Sequence, residues 1–400
     1  MVLTPDYELY KQAFANVPMP FAYLDRDLLD LNIRAIGAAA GGKTIRVASK
    51  SIRSVDVLRY ILNASDVYRG VMCYSAEEAA FLAGHGFDDL LLGYPTWGSE
   101  GIGRLAERIG EGSRITFMAD CEEHVDRLER IAREHGVRVP VCLDLDMSSD
   151  YPGLRFGVWR SPLASWESVR PVAERIASSE WVWLDGLMGY EAQIAGVGDR
   201  TPGAALRNRF VRALKSRSVR EVAERRAELV GRIRGLGLHP RFVNAGGTGS
   251  LASSSLEDAV TELTAGSGFY SPILFDHYRD FRYFPAAGFA VEVVRKPRAD
   301  IVTCMGGGYV ASGSAGETKL PRPHLPTGLE LFPLEGAGEV QTPLRCAGAQ
   351  AAKLGLGDPV FFRHAKAGEL CERFDALHVV SGGAVVGRYS TYRGMGETFI

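Results

Sequence analysis

The chain has 400 residues, of which 46% are hydrophobic and 24% charged, and both fractions are close to those of ordinary globular proteins. Composition therefore excludes a chain that is disordered throughout. The 46 Lys and Arg residues are balanced by 48 Asp and Glu residues, and this balance argues against a protein that binds nucleic acid or a membrane surface.

The six cysteines stand singly, without a CxxC pair, so we predict neither a disulfide scaffold nor a structural zinc module. The N-terminal segment lacks the basic and then apolar order of a signal peptide. No apolar stretch reaches the roughly 18 residues that indicate a membrane span. We therefore expect a cytoplasmic protein.

Eight short apolar runs alternate with longer amphipathic stretches between residues 20 and 275. The runs contain many β-branched and aromatic residues with little alternation, which is typical of parallel strands buried on both faces. Eight strand–helix repeats in about 250 residues predict an α/β fold, a (β/α)8 TIM-type barrel, with a doubly wound sheet as the competing arrangement. The predicted strands are Thr44–Lys50, Val67–Tyr74, Asp89–Tyr94, Ile115–Asp120, Val139–Asp146, Trp181–Tyr190, Phe242–Thr248 and Glu262–Tyr270.

The segments between these runs carry helix signals. Ser75 is followed three positions later by Glu78, and this spacing predicts a capped helix start. A second helix is predicted to begin at Cys121 and to stop at Gly136. The long basic segment 207–237 predicts a helix whose charged residues form a solvated face.

After residue 285 the pattern changes to short β-like runs that are broken by Gly and Pro. We therefore predict two domains: a barrel over residues 1–285 and a C-terminal, mostly-β domain over residues 286–400. Residues 1–20 are a segment of the first domain that could pack on the β domain.

Two loops and one lysine point to cofactor chemistry. The loops that would follow strands seven and eight, AGGTGS (245–250) and AGSG (265–268), are rich in glycine, and in barrels these loops often bind phosphate. The alternative is that they are only tight turns. Lys50 ends the first predicted strand, where a lysine is ordinarily a solvated strand terminus. A phosphate across the same barrel mouth would instead suit a Schiff-base lysine, as in pyridoxal-phosphate binding.

Several motifs together resemble one family over nearly the whole chain. The sequence is similar to the fold-type III pyridoxal-phosphate enzymes, the alanine-racemase-like barrel, and within them to the D-threonine aldolase and D-serine dehydratase branch. The matching segments are PFAYLDRDLLDLNI (20–33), SAEEAAFLAGHGFDDLLLGYP (75–95), LRFGV (154–158), GLMGYEAQ (186–193), NAGGTGS (244–250), AGSGFY (265–270) and FFRHAKAGE (361–369).

The resemblance implies roles for individual residues. Lys50 would form the Schiff base with pyridoxal 5'-phosphate, and Arg155 would reach the ring side of the cofactor, unless it is only a surface arginine on a turn. Tyr190 would line the cofactor, and Gln193 stands where relatives often carry a histidine. The phosphate would be held by Gly246, Gly247, Thr248, Gly266 and Ser267.

The C-terminal domain of this branch carries a metal pair, His-x-Cys or His-x-Asp, and here the sequence departs from it. His364 is present, but the partner position is Lys366, whose ammonium cannot bind a metal. Either a divalent metal (Mn, Mg or Zn) has been lost, or Glu369 or Cys371 replaces the missing ligand. A third possibility is that the charge of Lys366 substitutes for the metal cation.

These implied residues favour a lyase that acts on D-configured β-hydroxy amino acids. In retro-aldol cleavage His364 would remove the hydroxyl proton, with Lys366 as the cation, whereas in the dehydratase variant Lys50 would take the Cα proton. An amino-acid racemase, with a second base among the β-domain tyrosines, and a non-catalytic pyridoxal-phosphate protein are the alternatives. The resemblance also implies a homodimer in which the β domain of one subunit closes the barrel mouth of the other. The expected partner is a small-molecule amino acid.

Overall fold

The structure is a computed structural model that describes residues 6–366 and 368–400. The strands are β1 (Phe21–Asp25), β2 (Thr44–Ala48), β3 (Tyr68–Cys73), β4 (Leu90–Leu92), β5 (Ile115–Ala119), β6 (Val139–Asp144), β7 (Ser149–Tyr151), β8 (Leu154–Phe156), β9 (Val182–Gly189), β10 (Phe242–Ala245), β11 (Glu262–Ala265), β12 (Ala287–Arg298), β13 (Ile301–Met305), β14 (Arg322–Leu325), β15 (Leu329–Leu331), β16 (Gln341–Cys346), β17 (Pro359–Arg363), β18 (Ala376–Ser381) and β19 (Ala384–Ser390). The helices are α1 (Tyr7–Ala13), α2 (Arg26–Ala39), α3 (Val55–Leu62), α4 (Ala76–Gly84), α5 (Ser99–Gly110), α6 (Glu122–Glu134), α7 (Trp166–Ala177), α8 (Ala192–Ala195), α9 (Ala205–Gly235), α10 (Leu251–Ser254) and α11 (Ser267–Tyr270).

The chain divides into two compact units. The barrel unit consists of Ile36–Lys50, Leu58–Gly266 and Phe399–Ile400. The sheet unit consists of the described parts of Met1–Ala35, Ser51–Val57 and Ser267–Thr398. These units are not continuous in sequence, because the sheet unit takes segments from both ends of the chain. The predicted domain boundary at residue 285 therefore stays a prediction.

Eight parallel strands of the barrel unit close on themselves in the order β2, β3, β4, β5, β6, β9, β10, β11. Each of these strands lies within one of the eight predicted runs, so the predicted (β/α)8 barrel is confirmed and the doubly wound alternative is wrong. Both faces of β4, β5 and β6 are buried throughout, because side chains on one face fill the barrel and those on the other contact the surrounding helices.

The barrel interior is layered along its axis. Near the N-terminal strand ends, the buried guanidinium of Arg46 donates to Glu262 (Nε–Oε1 2.7 Å) and pairs with Asp89. The middle is apolar and is formed by Leu91, Met118, Cys142, Met188 and Phe242. A Cβ at Gly186 would lie 2.1 Å from the Phe242 ring, so only glycine fits beside that ring. The polar groups at the C-terminal ends of the strands therefore lie above this apolar layer, at the mouth of the barrel.

The predicted helix starts are confirmed. The Ser75 hydroxyl accepts from the backbone N–H of Glu78 at 3.1 Å, and the Glu78 carboxylate accepts from that of Tyr74 at 2.8 Å. Helix α6 begins after Cys121 and ends before Gly136, whose φ of +65° favours glycine.

Helix α9 differs from the prediction of a solvated charged face, because some of its cationic residues are buried. Arg226 is fully buried and pairs with Glu191 (2.8 Å) and Glu257, and the Lys215 ammonium lies 3.8 Å from Asp199. The sequence pattern did not reveal these pairs, because the acidic partners lie far from their cationic partners along the chain.

The sheet unit contains a nine-stranded sheet. Its main order is β15, β16, β13, β12, β1, β18, β19, with β17 beside β12 and β14 beside β17. Strand β1 pairs antiparallel with β12 and parallel with β18. Helix α1 packs the rings of Tyr10 and Phe14 against Phe361, at centroid distances of 5.4 and 6.1 Å. Within the described residues no helix has the length and apolar character needed to cross a membrane.

Candidate active site

Lys50 lies at the C-terminal end of β2, in the 3-10 turn Ser49–Ser51. The preceding hydroxyl, that of Ser49, donates to the Met72 carbonyl at 2.9 Å and fixes this turn to the neighbouring strand β3. The Lys50 side chain is exposed, and its Nζ donates to the Tyr94 hydroxyl at 2.7 Å. A reactive amine is thus positioned at the end of the barrel where barrel enzymes carry their chemistry.

Tyr94 follows β4, and the sequence analysis did not identify it as a site residue. It ends a predicted strand just as Lys50 does. Burial raises the pKa of the Tyr94 phenol, but the charge and hydrogen bond of Lys50, together with the charge of Arg160, outweigh burial and leave that pKa below its ordinary value. Tyr94 is therefore a stronger acid than a free tyrosine, placed beside the Lys50 amine.

Two arginines of one segment have different surroundings. Arg155, in β8, donates to the Asp146 carboxylate at 2.6 Å and to Asp150 at 3.1 Å, so its guanidinium is committed to neighbouring carboxylates. Arg160 lies over the rings of Tyr94 and Tyr190, at 5.7 and 5.5 Å from their centroids. The ring-side role of Arg155 stays a prediction, and Arg160 is a second arginine at this mouth that the sequence motif did not single out.

Asp144 ends β6 and is 8% exposed. Burial, followed by the negative charges of Asp120 and Asp146, raises the pKa of the Asp144 carboxyl to about 7, although the charge of Arg160 opposes the rise. Near neutral pH this carboxyl is therefore present in both its protonated and its ionised form. Pairing of β5 with β6 places Ala119 opposite Leu143, and Asp120 and Asp144 are the next residues along these strands.

Tyr190 and Gln193 follow β9. Burial raises the pKa of the Tyr190 phenol to about 12, so the phenol stays protonated at neutral pH. The amide nitrogen of Gln193 donates to the carbonyl of Met147 (2.5 Å) and to the hydroxyl of Ser218 (2.9 Å). Gln193 is 2% exposed, and its amide oxygen has no hydrogen-bond partner in the described part of the chain. The structure therefore shows Gln193 as a buried anchor of this loop, and its role toward the cofactor stays a prediction.

The loop after β10 contains a close approach that only glycine permits. A Cβ at Gly247 would lie 2.9 Å from the Tyr190 ring and 3.1 Å from the Ala195 Cβ. Gly246 has φ +87°, in the left-handed region that favours glycine. Thr248 is 7% exposed, and Gly266 follows β11, the strand that pairs with β10. The absence of side chains at Gly246, Gly247 and Gly266 is compatible with the predicted phosphate site, and phosphate binding by this loop stays a prediction.

A buried acid supports this loop. Glu191 accepts from the hydroxyls of Ser250 and Ser254, both at 2.6 Å, and from Arg226 of α9 at 2.8 Å. The Ser250 hydroxyl also accepts from the Gly247 N–H at 3.1 Å. The loop conformation is thus fixed by a charged network that the sequence did not reveal.

The sheet unit holds the other predicted residues. The ring of His364, which follows β17, is fully buried, and neither ring nitrogen has a hydrogen-bond partner among the described residues. Burial and the charge of Arg363 lower the pKa of His364 to about 3, so the imidazole is neutral at physiological pH. The ammonium of Lys366 donates to the hydroxyl of Ser312 at 2.9 Å. In the same unit, the Ser267 hydroxyl lies 3.1 Å from that of Ser51.

Glu369 and Cys371, the two residues predicted as replacement metal ligands, have different hydrogen-bond partners. One carboxylate oxygen of Glu369 accepts from the Ser312 N–H at 3.1 Å, while the other is buried without a partner in the described residues. The Cys371 thiol is directed to the Ile52 carbonyl at 3.3 Å, and burial raises its pKa to about 12. No group of three His, Cys, Asp or Glu donors forms around His364 within residues 6–366 and 368–400. A metal held by His364 with Glu369 or Cys371 therefore stays a prediction.

Comparison with known proteins identifies the family to which the sequence is related. The sequence family described as "Alanine racemase, N-terminal domain" matches residues 24–271. The 3-hydroxy-D-aspartate aldolase of Paracoccus denitrificans is 29% identical over 258 residues, which are 63% of this chain and 60% of the relative. The chain thus spans less than two thirds of the length of that curated relative.

Two solved structures share the fold. The D-threonine aldolase from Filomicrobium marinum superposes with a TM-score of 0.79 at 18% identity, over 95% of this chain and 96% of that one. The D-threo-3-hydroxyaspartate dehydratase from Delftia sp. HT23 gives 0.75 at 17% identity, over 95% of this chain and 98% of that one. Because the family match covers more than half of the 400 residues, this chain belongs to the alanine racemase N-terminal domain family, that of the fold-type III pyridoxal-phosphate enzymes that its motifs resemble.

Proposed function

We propose that the protein is a pyridoxal-phosphate-dependent lyase that cleaves D-configured β-hydroxy amino acids by a retro-aldol reaction. The observation that carries this proposal is the exposed Lys50 amine at the C-terminal end of the first barrel strand, in a unit whose glycine loop fits a phosphate. The curated relative supports the substrate class, because its name gives 3-hydroxy-D-aspartate and an aldolase activity.

The barrel unit would hold the cofactor. Lys50 would bind it covalently through Nζ, with Tyr94 orienting that nitrogen by the 2.7 Å hydrogen bond. Its phosphate would lie against Gly246, Gly247, Thr248 and Gly266. When bound, pyridoxal phosphate supplies an electron sink for the charge that is left on Cα.

His364 and Lys366 would act on the substrate hydroxyl. The neutral imidazole of His364 carries a lone pair on one ring nitrogen, and that nitrogen would accept the hydroxyl proton. The Lys366 ammonium would stabilise the negative charge that develops on that oxygen. The Cα–Cβ bond then breaks, the hydroxyl carbon leaves as an aldehyde, and Cα takes up a proton to give glycine.

The racemase alternative needs a second base, and the structure disfavours one candidate for it. Tyr309 is partly buried, and burial followed by the charge of Glu369 raises the pKa of its phenol. The phenol therefore stays protonated, which is the wrong state for abstracting a proton from Cα.

Incubation of the purified protein with matched D- and L-β-hydroxy amino acids tests the proposal. We expect glycine and an aldehyde from the D-configured substrates and no reaction with their L-enantiomers. Ammonia with a keto acid would identify a dehydratase, exchange of enantiomers a racemase, and no turnover of any substrate a non-catalytic cofactor-binding protein. Each of these three outcomes would overturn the retro-aldol assignment. We further propose that the protein is a cytoplasmic homodimer.

A further inference from the structure

Three metal-binding side chains converge at the C-terminal end of β5, where helix α6 begins. Asp120 directly follows the strand, Cys121 caps the helix, and His124 lies in its first turn. The Nδ1 atom of His124 is 2.9 Å from Oδ1 of Asp120 and 3.2 Å from Sγ of Cys121. Among residues 6–366 and 368–400 this is the one group of three His, Cys, Asp or Glu side chains whose donor atoms all lie within 4.8 Å of one another.

Nδ1 of His124 cannot serve both neighbouring groups through hydrogen bonds at the same time. If Nδ1 of His124 carries a proton, it can donate to the Asp120 carboxylate, but it then has no lone pair for the Cys121 thiol or for the Asp120 N–H, 3.4 Å away. If Nδ1 is bare, it accepts from those donors, but its lone pair faces a carboxylate oxygen. A cation resolves the conflict, because lone pairs of imidazole, carboxylate and thiolate can all point to it.

The distances between the donor atoms are slightly shorter than those around a tetrahedral ion. Zinc binds nitrogen at about 2.0–2.1 Å, sulfur at about 2.3 Å and carboxylate oxygen at about 2.0–2.2 Å, which separates neighbouring donors by about 3.4–3.6 Å. The observed separations of 2.9 and 3.2 Å are a few tenths of an ångström shorter. Small side-chain rotations would open the group to accept the ion.

The surroundings favour a partly closed site. The side chains of His124 and Asp120 are 19% and 15% exposed. The Trp97 ring packs edge-on against the His124 ring at 6.0 Å, and the Arg127 guanidinium is bound to the Trp97 carbonyl at 3.1 Å. The carboxylate of Glu123 also contacts the Cys121 thiol and adds negative charge beside it. Solvent access through the remaining opening leaves room for a fourth ligand.

We propose that Asp120, Cys121 and His124 bind a divalent, thiophilic cation, Zn²⁺, through Oδ1, Sγ and Nδ1, with water as the fourth ligand. A carboxylate, an imidazole and a thiolate are ligands that zinc accepts in one tetrahedral site. As the Zn–S bond forms, the thiol proton leaves to solvent, Asp120 uses a carboxylate lone pair, and His124 binds through Nδ1 in the tautomer that carries its proton on Nε2. The site belongs to the barrel unit and is distinct from the His364 position, where the sequence replaces the second ligand by Lys366.

Metal titration of the full-length, cofactor-loaded protein tests this proposal. The protein is first treated with a chelator and desalted, and Zn²⁺ binding is then followed by calorimetry and Co²⁺ binding by absorption. We expect one equivalent of zinc and, with cobalt, the intense thiolate-to-metal band of a cysteine-bound ion. Cys121→Ser keeps an oxygen that can cap the helix, so the protein should fold while its zinc affinity falls about 100-fold or more. His124→Ala should show a similar loss.

Two control substitutions remove the same residue types elsewhere. Cys346→Ser changes another half-buried cysteine, and His135→Ala changes the histidine at the other end of the same helix. Both variants should bind zinc like the unchanged protein. Absence of a stoichiometric zinc site would overturn the proposal, as would zinc binding that survives Cys121→Ser and His124→Ala but is lost in His364→Ala. Because the readout is metal binding and not turnover, this result is independent of the reaction that the protein catalyses.

Discussion

At the scale of single residues, Lys50 is the group on which the proposed chemistry depends. We predict that Lys50→Ala abolishes both the visible absorbance of the cofactor and the borohydride-reducible linkage, because a covalent bond to pyridoxal phosphate needs this amine. Absorption spectra and mass spectrometry after reduction measure both. The control is Lys43→Gln, which changes the lysine just before the N-terminal end of β2. This variant should retain both the absorbance and the reducible linkage. A reducible adduct in Lys50→Ala would show that another lysine carries the cofactor.

Lys366 is the residue through which the proposed metal independence of the reaction can be tested. We predict that a chelator leaves turnover intact and that Lys366→Met removes most of it, because the ammonium would replace a divalent cation beside the substrate oxygen. His364→Ala should be nearly inactive while it keeps the normal absorbance of the bound cofactor. If chelation stops turnover and added manganese or zinc restores it, the idea that Lys366 substitutes for the metal fails. Repeating the chelation on Cys121→Ser would then show which site the reaction uses.

Asp144 gives the stability of the protein a specific pH dependence. Its folded-state pKa of about 7 is above the unfolded value of about 3.9, so the folded state binds the extra proton and loses stability as the pH rises between these two values. Asp144→Asn cannot ionise. We compare the free energies of unfolding of this variant and of the unchanged protein, both without cofactor. We predict that the value for the variant minus the value for the unchanged protein increases by up to about 1.4 kcal/mol for each pH unit as the pH rises across that range. Chemical denaturation at several pH values measures the difference, and a difference that does not change with pH would contradict the assignment.

At the scale of elements, the loop after β10 is shaped by its neighbours more than by its own sequence. Glu191 holds Ser250 and Ser254 in place, and Arg226 connects this acid to helix α9. The buried ion pair helps to hold this loop conformation, since removal of one partner would leave an uncompensated charge in the interior. A loop held in this way would be preorganised for the phosphate group that we propose it binds.

We predict that both Gly247→Val and Thr248→Val weaken the binding of pyridoxal phosphate. The valine side chain in Gly247→Val would collide with Tyr190 and Ala195. Thr248→Val removes a hydroxyl that would donate a charge-assisted hydrogen bond to the phosphate. Such a bond is worth about 1.5–3 kcal/mol, so the dissociation constant should rise about tenfold or more. Fluorescence titration of the cofactor-free protein measures the affinity. Gly387→Val is the control, because a Cβ at this strand position meets no atom within 4 Å. Unchanged affinity in both loop variants would rule out the phosphate assignment.

At the scale of the whole molecule, the proposed homodimer makes a prediction about mixed subunits. If the β domain of one subunit completes the barrel mouth of the other, Lys50→Ala and His364→Ala subunits can form a hybrid in which one site has both residues. We predict that unfolding and refolding the two inactive variants together restores up to about a quarter of the activity, as random pairing allows. Light scattering should report a dimer. A dimeric mixture without recovered activity would show that each subunit completes its own site.

The sequence by itself predicted the eight strands, a barrel as their favoured arrangement, and the positions of Lys50 and the glycine loops, and the structure then excluded the doubly wound alternative. The sequence could do so because parallel strands buried on both faces leave a local pattern of apolar runs, and because each barrel strand delivers its last residue to the same rim. Tyr94 and Asp144 were open to the same reasoning, since each stands at or near the end of a predicted strand. They were missed because nothing in their own segments marks them as different from ordinary strand ends.

Only the tertiary structure decided which side chains meet. It paired Arg226 with Glu191, bound Arg155 to Asp146 and Asp150, and placed Arg160 over two tyrosine rings. It also assigned β1, from the N-terminal part of the chain, to the sheet of the C-terminal strands. The physical reason is that periodicity reports whether a residue faces the interior, whereas charge pairing and strand neighbours depend on segments that are distant in sequence and meet only when the chain has folded.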